Sequence, residues 1–494
     1  MHETVILGGG IAGLTTAYAL AKRGILSTVI EARMSLGGLA AGGSIAGVRI
    51  DLGAESFTLR STKILELCAE LGVEVRYPHG SSWVWDDGVA SPIAHGIWGI
   101  PSSWDDPAFT VLSAEELDTA RKLDSTVSSY GSQAHTLAEL VRVRLGQAVL
   151  TKMVEPVAGA IHGISPEKLD LDAVAPGLRE ALLHEGSLIK AVHSQRGEEQ
   201  ASIVQPVGGI NALVDALSAQ LQAMGTSIVT GHMAIDLMYD DSAASSQTST
   251  PVSSSTGSSS PSASDSPAPF GILLARSDGD KKNPQPCPGT EEVVFAKRLV
   301  VALDGPHARA LVAPVLPTPP TGVDYEWTIP HSDPISTAIL AIDDERLDPA
   351  PLGSGVLVKP GSSLPVKALT HYSMKWPWAA QELARAHGGK HVHLLRLSYG
   401  RPGEPSPSPT IDQALQDASA LFGVAIKRHA LIEGRIIEWG PSLIAHSPEH
   451  KKNVQSFLRS VDDVLGLAVT GAWVAGTGLG SVIPHAYKIG ENID

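Results

Sequence analysis

The sequence predicts an α/β fold that opens on a Rossmann-like βαβ unit, and three observations predict it. A strand-like run, Thr4 to Leu7, leads into glycines spaced Gly8-x-Gly10-x-x-Gly13 and then an apolar helical pattern at Leu14, Ala17, Leu20 and Ala21. The helix stops near Lys22-Arg23-Gly24, and a second strand, Ser27 to Ile30, delivers Glu31 and Ala32. Far down the chain, Val469 to Gly480 is again a strand running into a glycine-rich helix start.

Each part of the first unit has a physical task. Gly8 permits the tight turn, Gly10 lets backbone approach a pyrophosphate, and Gly13 lets the helix pack closely on the strand. Gly9, Ile11 and Ala12 complete a turn whose N–H groups open the helix, where phosphates are favoured. Glu31 stands where a ribose hydroxyl needs an acceptor. Gly37-Gly38 and Asp51-Leu-Gly-Ala-Glu-Ser56 follow within a few turns of chain. Paired glycines here suit a cofactor that extends past the first turn toward an isoalloxazine ring, which favours FAD over NAD.

At 494 residues the chain calls for two or three domains. A formal charge of −15 argues against nucleic acid as a partner. The two cysteines, Cys68 and Cys287, lack metal-type spacing or a paired framework and fit a reducing compartment. The N-terminus begins on a strand with Glu3, not on a basic cluster and an apolar stretch, so the expected location is cytoplasmic. No apolar run reaches the roughly 18 residues of a membrane span; peripheral membrane contact stays open.

Between the glycine turns the pattern changes several times. Residues 61–77 read as a helix (Ile64, Leu65, Leu67, Cys68, Leu71) and a strand, Val73 to Tyr77, and Ser82 to Val89 reads as a hairpin turning at Asp86-Asp87-Gly88. From about 105 to 195 the pattern is helical, with a capping box at Thr136-Leu-Ala-Glu139. Gly208-Gly209 starts a helix over Asn211 to Met224, and a strand pair follows from Ser227 to Met238. Residues 241–269 are almost pure Ser, Thr, Ala, Gly and Pro, which reads as a disordered insertion between two strands. Strand-like Phe270 to Ala275 and Arg298 to Ala302 resume the sheet, and residues 323–400 suggest a second sheet roofing the cofactor.

Several separated segments together resemble the oxygen-dependent coproporphyrinogen III and protoporphyrinogen oxidases of the flavin-containing amine oxidase superfamily. They are VILGGGIAGL at 5–14, DLGAES at 51–56, SPIAHGIWGIP at 91–101 and EPVAGAIHGISPEKLDL at 155–171. VGGINALVDAL at 207–217, SYGRPGE at 398–404 and GAWVAGTGL at 471–479 continue the order. The resemblance implies a Rossmann-like FAD-binding domain of the glutathione-reductase or amine-oxidase type, a mixed-sheet substrate domain and an inserted helical domain. The expected boundaries are 1–77, 205–315 and 436–494 for FAD; 78–104, 180–204 and 316–435 for substrate; and 105–179 for the helical part. The FAD residues it implies are Gly8, Gly9, Gly10, Ile11, Ala12, Gly13, Glu31, Ala32, Gly38, Gly53, Ala54, Glu55, Ser56, Ala234, Trp439, Gly476, Gly478, Leu479 and Gly480. Ala234 would contact through its backbone. Two positions depart from the family: Ser35 stands where relatives often carry Arg, with Arg33 displaced by two, and Ala472 stands where many place a ribityl-binding Asp.

The implied reaction is FAD-dependent oxidation of coproporphyrinogen III to coproporphyrin III by dioxygen, releasing hydrogen peroxide, in bacterial haem biosynthesis. A downstream ferrochelatase is the candidate protein partner. Protoporphyrinogen IX oxidation, or another amine oxidase or desaturase reaction, is the alternative; covalent amine oxidases need a cysteine near the C-terminus, and none follows Cys287. An escort protein that keeps the glycine turn without using FAD is disfavoured by Glu31, the Gly37-Gly38 pair and the C-terminal glycine stretch. No catalytic acid or base and no metal site is assigned. A macrocycle bearing propionates calls for an apolar slot with cations, for which Lys359, Lys367, His371, Lys375, Arg396 and Arg401 are candidates. His391 and His393 share a strand face without a nearby third ligand, and Trp376 and Trp378 read as packing residues.

Overall fold

A computed structural model describes residues 2–493 except 41, 60–61, 127–128, 163–164, 197–202, 243–267, 280–282, 318–326, 330–332, 402–403, 406 and 440–447. The serine-rich stretch at 241–269 therefore lies largely outside the described residues.

Along the chain the elements that position the site are β1 (His2–Leu7), α1 (Ile11–Lys22), β2 (Ser27–Glu31), β3 (Ser82–Asp86), β4 (Val89–Pro92), α2 (Ile210–Ala223), β5 (Ser227–Thr230) and β6 (His232–Tyr239). They continue with β7 (Phe270–Arg276), β8 (Glu292–Val301), β9 (Ile335–Asp343), β10 (Gly355–Val358), β11 (Val366–His371), β12 (Val392–Tyr399), β13 (Leu431–Trp439), β14 (Leu467–Val469) and α3 (Leu479–Asn492).

The first sheet runs β5-β2-β1-β8-β7-β6, with β14 also pairing β8. Strands β5, β2, β1, β8 and β14 are parallel, so their C-terminal ends share one edge. Their side chains alternate between two cores: Ile6, Val29 and Val300 face α1, α2 and α3, while Val5, Leu7, Ile30, Leu299 and Val301 face the opposite layer. Burial on both faces explains why these strands read as continuous apolar runs. The stretch 227–238 is not a pair, contrary to expectation: β5 lies parallel to β2, and β6 pairs antiparallel with β7. Gly231, at φ +71°, turns the chain between them, so neighbours in sequence are not neighbours in hydrogen bonding.

The second sheet runs β13-β9-β12-β11-β10-β3-β4 and recruits the early hairpin β3–β4, whose turn holds Asp87 and Gly88 at positive φ. One face packs Leu340, Leu369, Leu395 and Leu397 beneath the helix Ile411–Phe422. The other face carries Ile339, Ala341 and Leu394 and packs with Ile45, Ile50 and Trp376 near the first sheet. A separate core, built on Leu137, Leu140, Val141 and Leu188, joins the helices between residues 107 and 196. Its Thr136–Glu139 capping box is formed, and Leu150–Gly159 winds as a wide helix with i→i+5 bonding around Pro156.

Candidate functional site

The glycine turn behaves as its spacing demands. Gly8 has φ +108°, and a Cβ there would stand 2.5 Å from Ala302 O. A Cβ on Gly13 would stand 2.0 Å from Gly8 O, so only glycine lets α1 start this close to β1. At Gly10 the same construction meets nothing within 4 Å, which leaves open space where backbone must approach a ligand. Glu31, buried at the end of β2, accepts from Gly9 N at 2.7 Å and from Arg33 N at 2.9 Å, which fixes its carboxylate at the mouth of the turn. Ile11 and Ala12 form the buried first turn of α1, and Ala32 follows Glu31 at the same edge.

The next segments close around this turn. Gly37 N donates to Gly9 O at 2.9 Å, and Gly38, at φ +58°, lies against Gly10. Gly53 and Ala54 pass over Leu39, with Ala54 N donating to its carbonyl, and the Trp439 ring rests on Gly53. Ser56 continues the same strip, half-buried.

The C-terminal turn arrives by a helix pair. Thr16 Oγ1 donates to Ala486 O, and Arg23 donates to Ile493 O; each pair is separated by 470 residues. Helices α1 and α3 are therefore parallel, which brings their N-terminal ends, each opened by a glycine turn, toward the same edge. Gly490 allows the close approach, since a Cβ there would meet Thr16 O at 2.6 Å. Gly476 and Gly478 both take positive φ, Leu479 opens α3, and Gly480 faces Thr58, just beyond the 53–56 strip. Ala234 lies apart, on β6 beside a register shift, three residues beyond Gly231, whose N–H donates to Arg33 O. Ala472 begins the short helix Ala472–Ala475. Arg33 lies with Glu31, their charged atoms 4.0 Å apart.

The DLGAES segment does something its motif did not announce. Asp51, fully buried, accepts from Ile210 N, Asn211 N, Asn211 Nδ2 and Gln205 Nε2 at 2.8–3.0 Å, capping the N-terminus of α2 from a distance. Burial pushes its pKa up to about 6 against those donors. Glu55 turns toward the second sheet: Oε1 accepts from Lys375 Nζ at 2.7 Å and Trp376 Nε1 at 3.0 Å, and Oε2 accepts from Arg396 at 3.1 Å. Burial alone would raise the Glu55 carboxyl, but Lys375 and Arg396 hold it at about 2. Arg396 also donates to the carbonyls of Leu52 and Gly53, so one guanidinium ties the second sheet to the strip beside the turn. Gln205, with its amide on Asp51, Glu55 O and Tyr372, and with Trp378 donating to it, joins the two clusters. Sequence reading nominated neither Asp51 nor Gln205 as a site residue; the only hint was two acids and a glutamine in otherwise apolar strands.

The remaining cations separate. Lys359 pairs with Asp86 at 2.5 Å, and Arg401 donates to the carbonyls of Leu364, Pro365 and Val366. His371 is buried on the far face of the sheet and meets His393 at 3.0 Å; burial, then His393, pushes it down to about 3. His391 and His393 do share a face, and both bind Asp348. A cavity of about 290 Å³ opens there, lined by Asp348, Ser373, Met374, Lys390, His391 and His393 among others, none of them in the glycine turns. Among the described residues no group of three His, Cys, Asp or Glu is placed to hold a metal, and no helix is long and apolar enough to cross a membrane.

The open space at Gly10, the fixed Glu31 and two parallel helices, each opening on a glycine turn, fit an extended dinucleotide. Comparison with known proteins agrees. The family of flavin containing amine oxidoreductases matches residues 11–257. The coproporphyrinogen III oxidase of Mycobacterium leprae is 25% identical over 97% of this chain and 96% of its own. That of Staphylococcus aureus is 24% identical over 99% and 98%. A solved structure from Exiguobacterium sp. 255-15, assigned provisionally as a protoporphyrinogen oxidase, superposes with a TM-score of 0.75 at 21% identity, over 100% of this chain and 98% of that one.

Proposed function

The chain belongs to the family of flavin containing amine oxidoreductases, an oxidoreductase with FAD as its cofactor, and on that premise we propose that it oxidises coproporphyrinogen III to coproporphyrin III. Three two-electron rounds remove six hydrogens, and three dioxygen molecules take them up as hydrogen peroxide. The reaction belongs to cytoplasmic haem biosynthesis, with a ferrochelatase as the candidate recipient of product. The observation that carries the reading is the span of the similarity: both named relatives match along nearly the whole chain, including the second sheet and the helical core, not the dinucleotide unit alone.

The site residues act by holding and shaping. Gly8 to Gly13, Glu31, Gly38 and Gly476 to Gly480 hold the cofactor, which when bound accepts the electron pair of each round. Glu55, clamped by Lys375 and Arg396, together with the Arg396 bond to Gly53 O, ties the second sheet to the strip beside the glycine turn and so fixes the position of one half against the other. The clamp sets two cations on one carboxylate, a net charge of +1, and so adds no unpaired carboxylate against the substrate's own.

Anaerobic mixing of the purified holoenzyme with coproporphyrinogen III and, separately, protoporphyrinogen IX tests this. Bleaching of the flavin band by the first, with colour restored and peroxide formed on adding oxygen, is the expected result. Faster bleaching by the second would move the assignment to protoporphyrinogen, and bleaching by neither would end the porphyrinogen reading.

A further inference from the structure

Strand β11 contains a register shift between Val366 and Ala368 against β12: Val366 pairs with Tyr399, and Ala368 pairs with Ser398. Val366 points into the core under the helix Ile411–Phe422, together with Leu369, Leu395 and Leu397. Ordinary alternation turns the next residue, Lys367, to the opposite face, and the shift keeps Ala368 there as well. That face carries Arg396, which reaches Leu52, Gly53 and Glu55, so it is the one turned toward the cofactor half. Across it, Thr337, Ser398, Ala368, Leu357 and Val84 stand side by side on five consecutive strands. They form a flat strip of small and apolar side chains with Lys367 at its margin.

Lys367 differs from the other cations of this sheet. Lys359 has Asp86, and Lys375 and Arg396 have Glu55. Arg401 is occupied by three backbone carbonyls. Among the described residues the Lys367 side chain, half-buried, has no hydrogen bond and no ion pair. Its surroundings disfavour its charge: burial, then the neighbouring Arg401, lowers its pKa to about 8. An ammonium held without a counter-charge beside a guanidinium is stabilised when an anion arrives.

We propose that Lys367 receives a propionate carboxylate of the macrocycle that lies on the strip. The bulge is the device that aims it there. This rests on the porphyrinogen reading above, and the test separates the two. Wild-type, K367M and K367R holoenzymes are titrated with coproporphyrin III and with its tetramethyl ester, following porphyrin fluorescence; flavin content and thermal midpoint are recorded for each. Methionine keeps most of the apolar stem and removes the ammonium with its charge and donors.

One charge-assisted bond to a carboxylate predicts about tenfold weaker binding of the free acid by K367M. The Arg variant should fall within about threefold of wild type, and the ester should bind all three proteins alike. In turnover, KM should rise by a similar factor while kcat stays within about twofold. Equal affinity of wild type and K367M for the free acid would overturn the proposal, as would a parallel loss for acid and ester at unchanged flavin content. If wild type binds neither macrocycle, the porphyrin reading itself falls and the anchor with it.

Discussion

Replacing Glu55 by Gln should cost about 3 kcal/mol of stability at pH 7, and the cost should vanish in acid. The side chain is 15% exposed and receives Lys375, Trp376 and Arg396. Its pKa stands at about 2 in the folded chain against an ordinary 4.5. That difference, at 1.36 kcal/mol per pH unit, corresponds to about 3 kcal/mol favouring the charged folded form. An independent route agrees, since breaking one side of a buried ion pair costs roughly 3–5 kcal/mol by stranding its cations. Because the folded pKa is depressed, the contribution is complete above 4.5 and is lost as pH falls from 4.5 toward 2. Urea unfolding of both proteins, followed by tryptophan fluorescence at a series of pH values, measures it. The gap between wild type and E55Q should be constant at neutral pH and should shrink steadily in acid. A gap below about 1 kcal/mol at pH 7, or one unchanged down to pH 3, would refute the reasoning.

Gly10→Ala and Gly13→Ala should part ways: G10A folds with an unaltered apo midpoint but purifies with less flavin, whereas G13A, its Cβ driven against Gly8 O, loses both stability and flavin. Absorbance ratios and apo melting curves separate these outcomes. Asp51→Ala removes the shared acceptor at the start of α2 and should destabilise the protein by roughly 2–4 kcal/mol, read from the urea midpoint. Deleting residues 242–268 should leave turnover within about twofold, because β6 and β7 already meet at Tyr239 and Phe270 and Asp240 N donates to Pro269 O, so a short turn can close the gap. A large loss of activity would show that the tract is not a passive loop.

What could be read from the sequence was what short stretches of chain determine for themselves. Gly8 and Gly13 are required by a dihedral and a contact within one βαβ unit, and Glu31 ends the strand next to that turn, so spacing alone placed them. The β3–β4 turn and the Thr136 capping box are equally local. What could not be read depends on distant partners. Glu55 was nominated as a cofactor contact on its motif, yet its side chain meets groups 320 and 341 residues away, and no periodicity carries that information. The six candidate cations had equal standing until the fold paired three with carboxylates, sent His371 to the far face and gave Arg401 to backbone carbonyls. A register shift such as the one at Lys367 becomes visible only when β12 lies beside it. The misreading of 227–238 as a pair has the same origin, since β5 finds its partner in β2, about 200 residues earlier.

The parallel run of α1 and α3 also joins two stretches of chain some 470 residues apart. If the cofactor spans both glycine turns as proposed, neither turn alone supplies the whole cradle, and a variant shortened before Gly476 is expected to lose flavin even where the contacts around Gly8 to Gly13 still form.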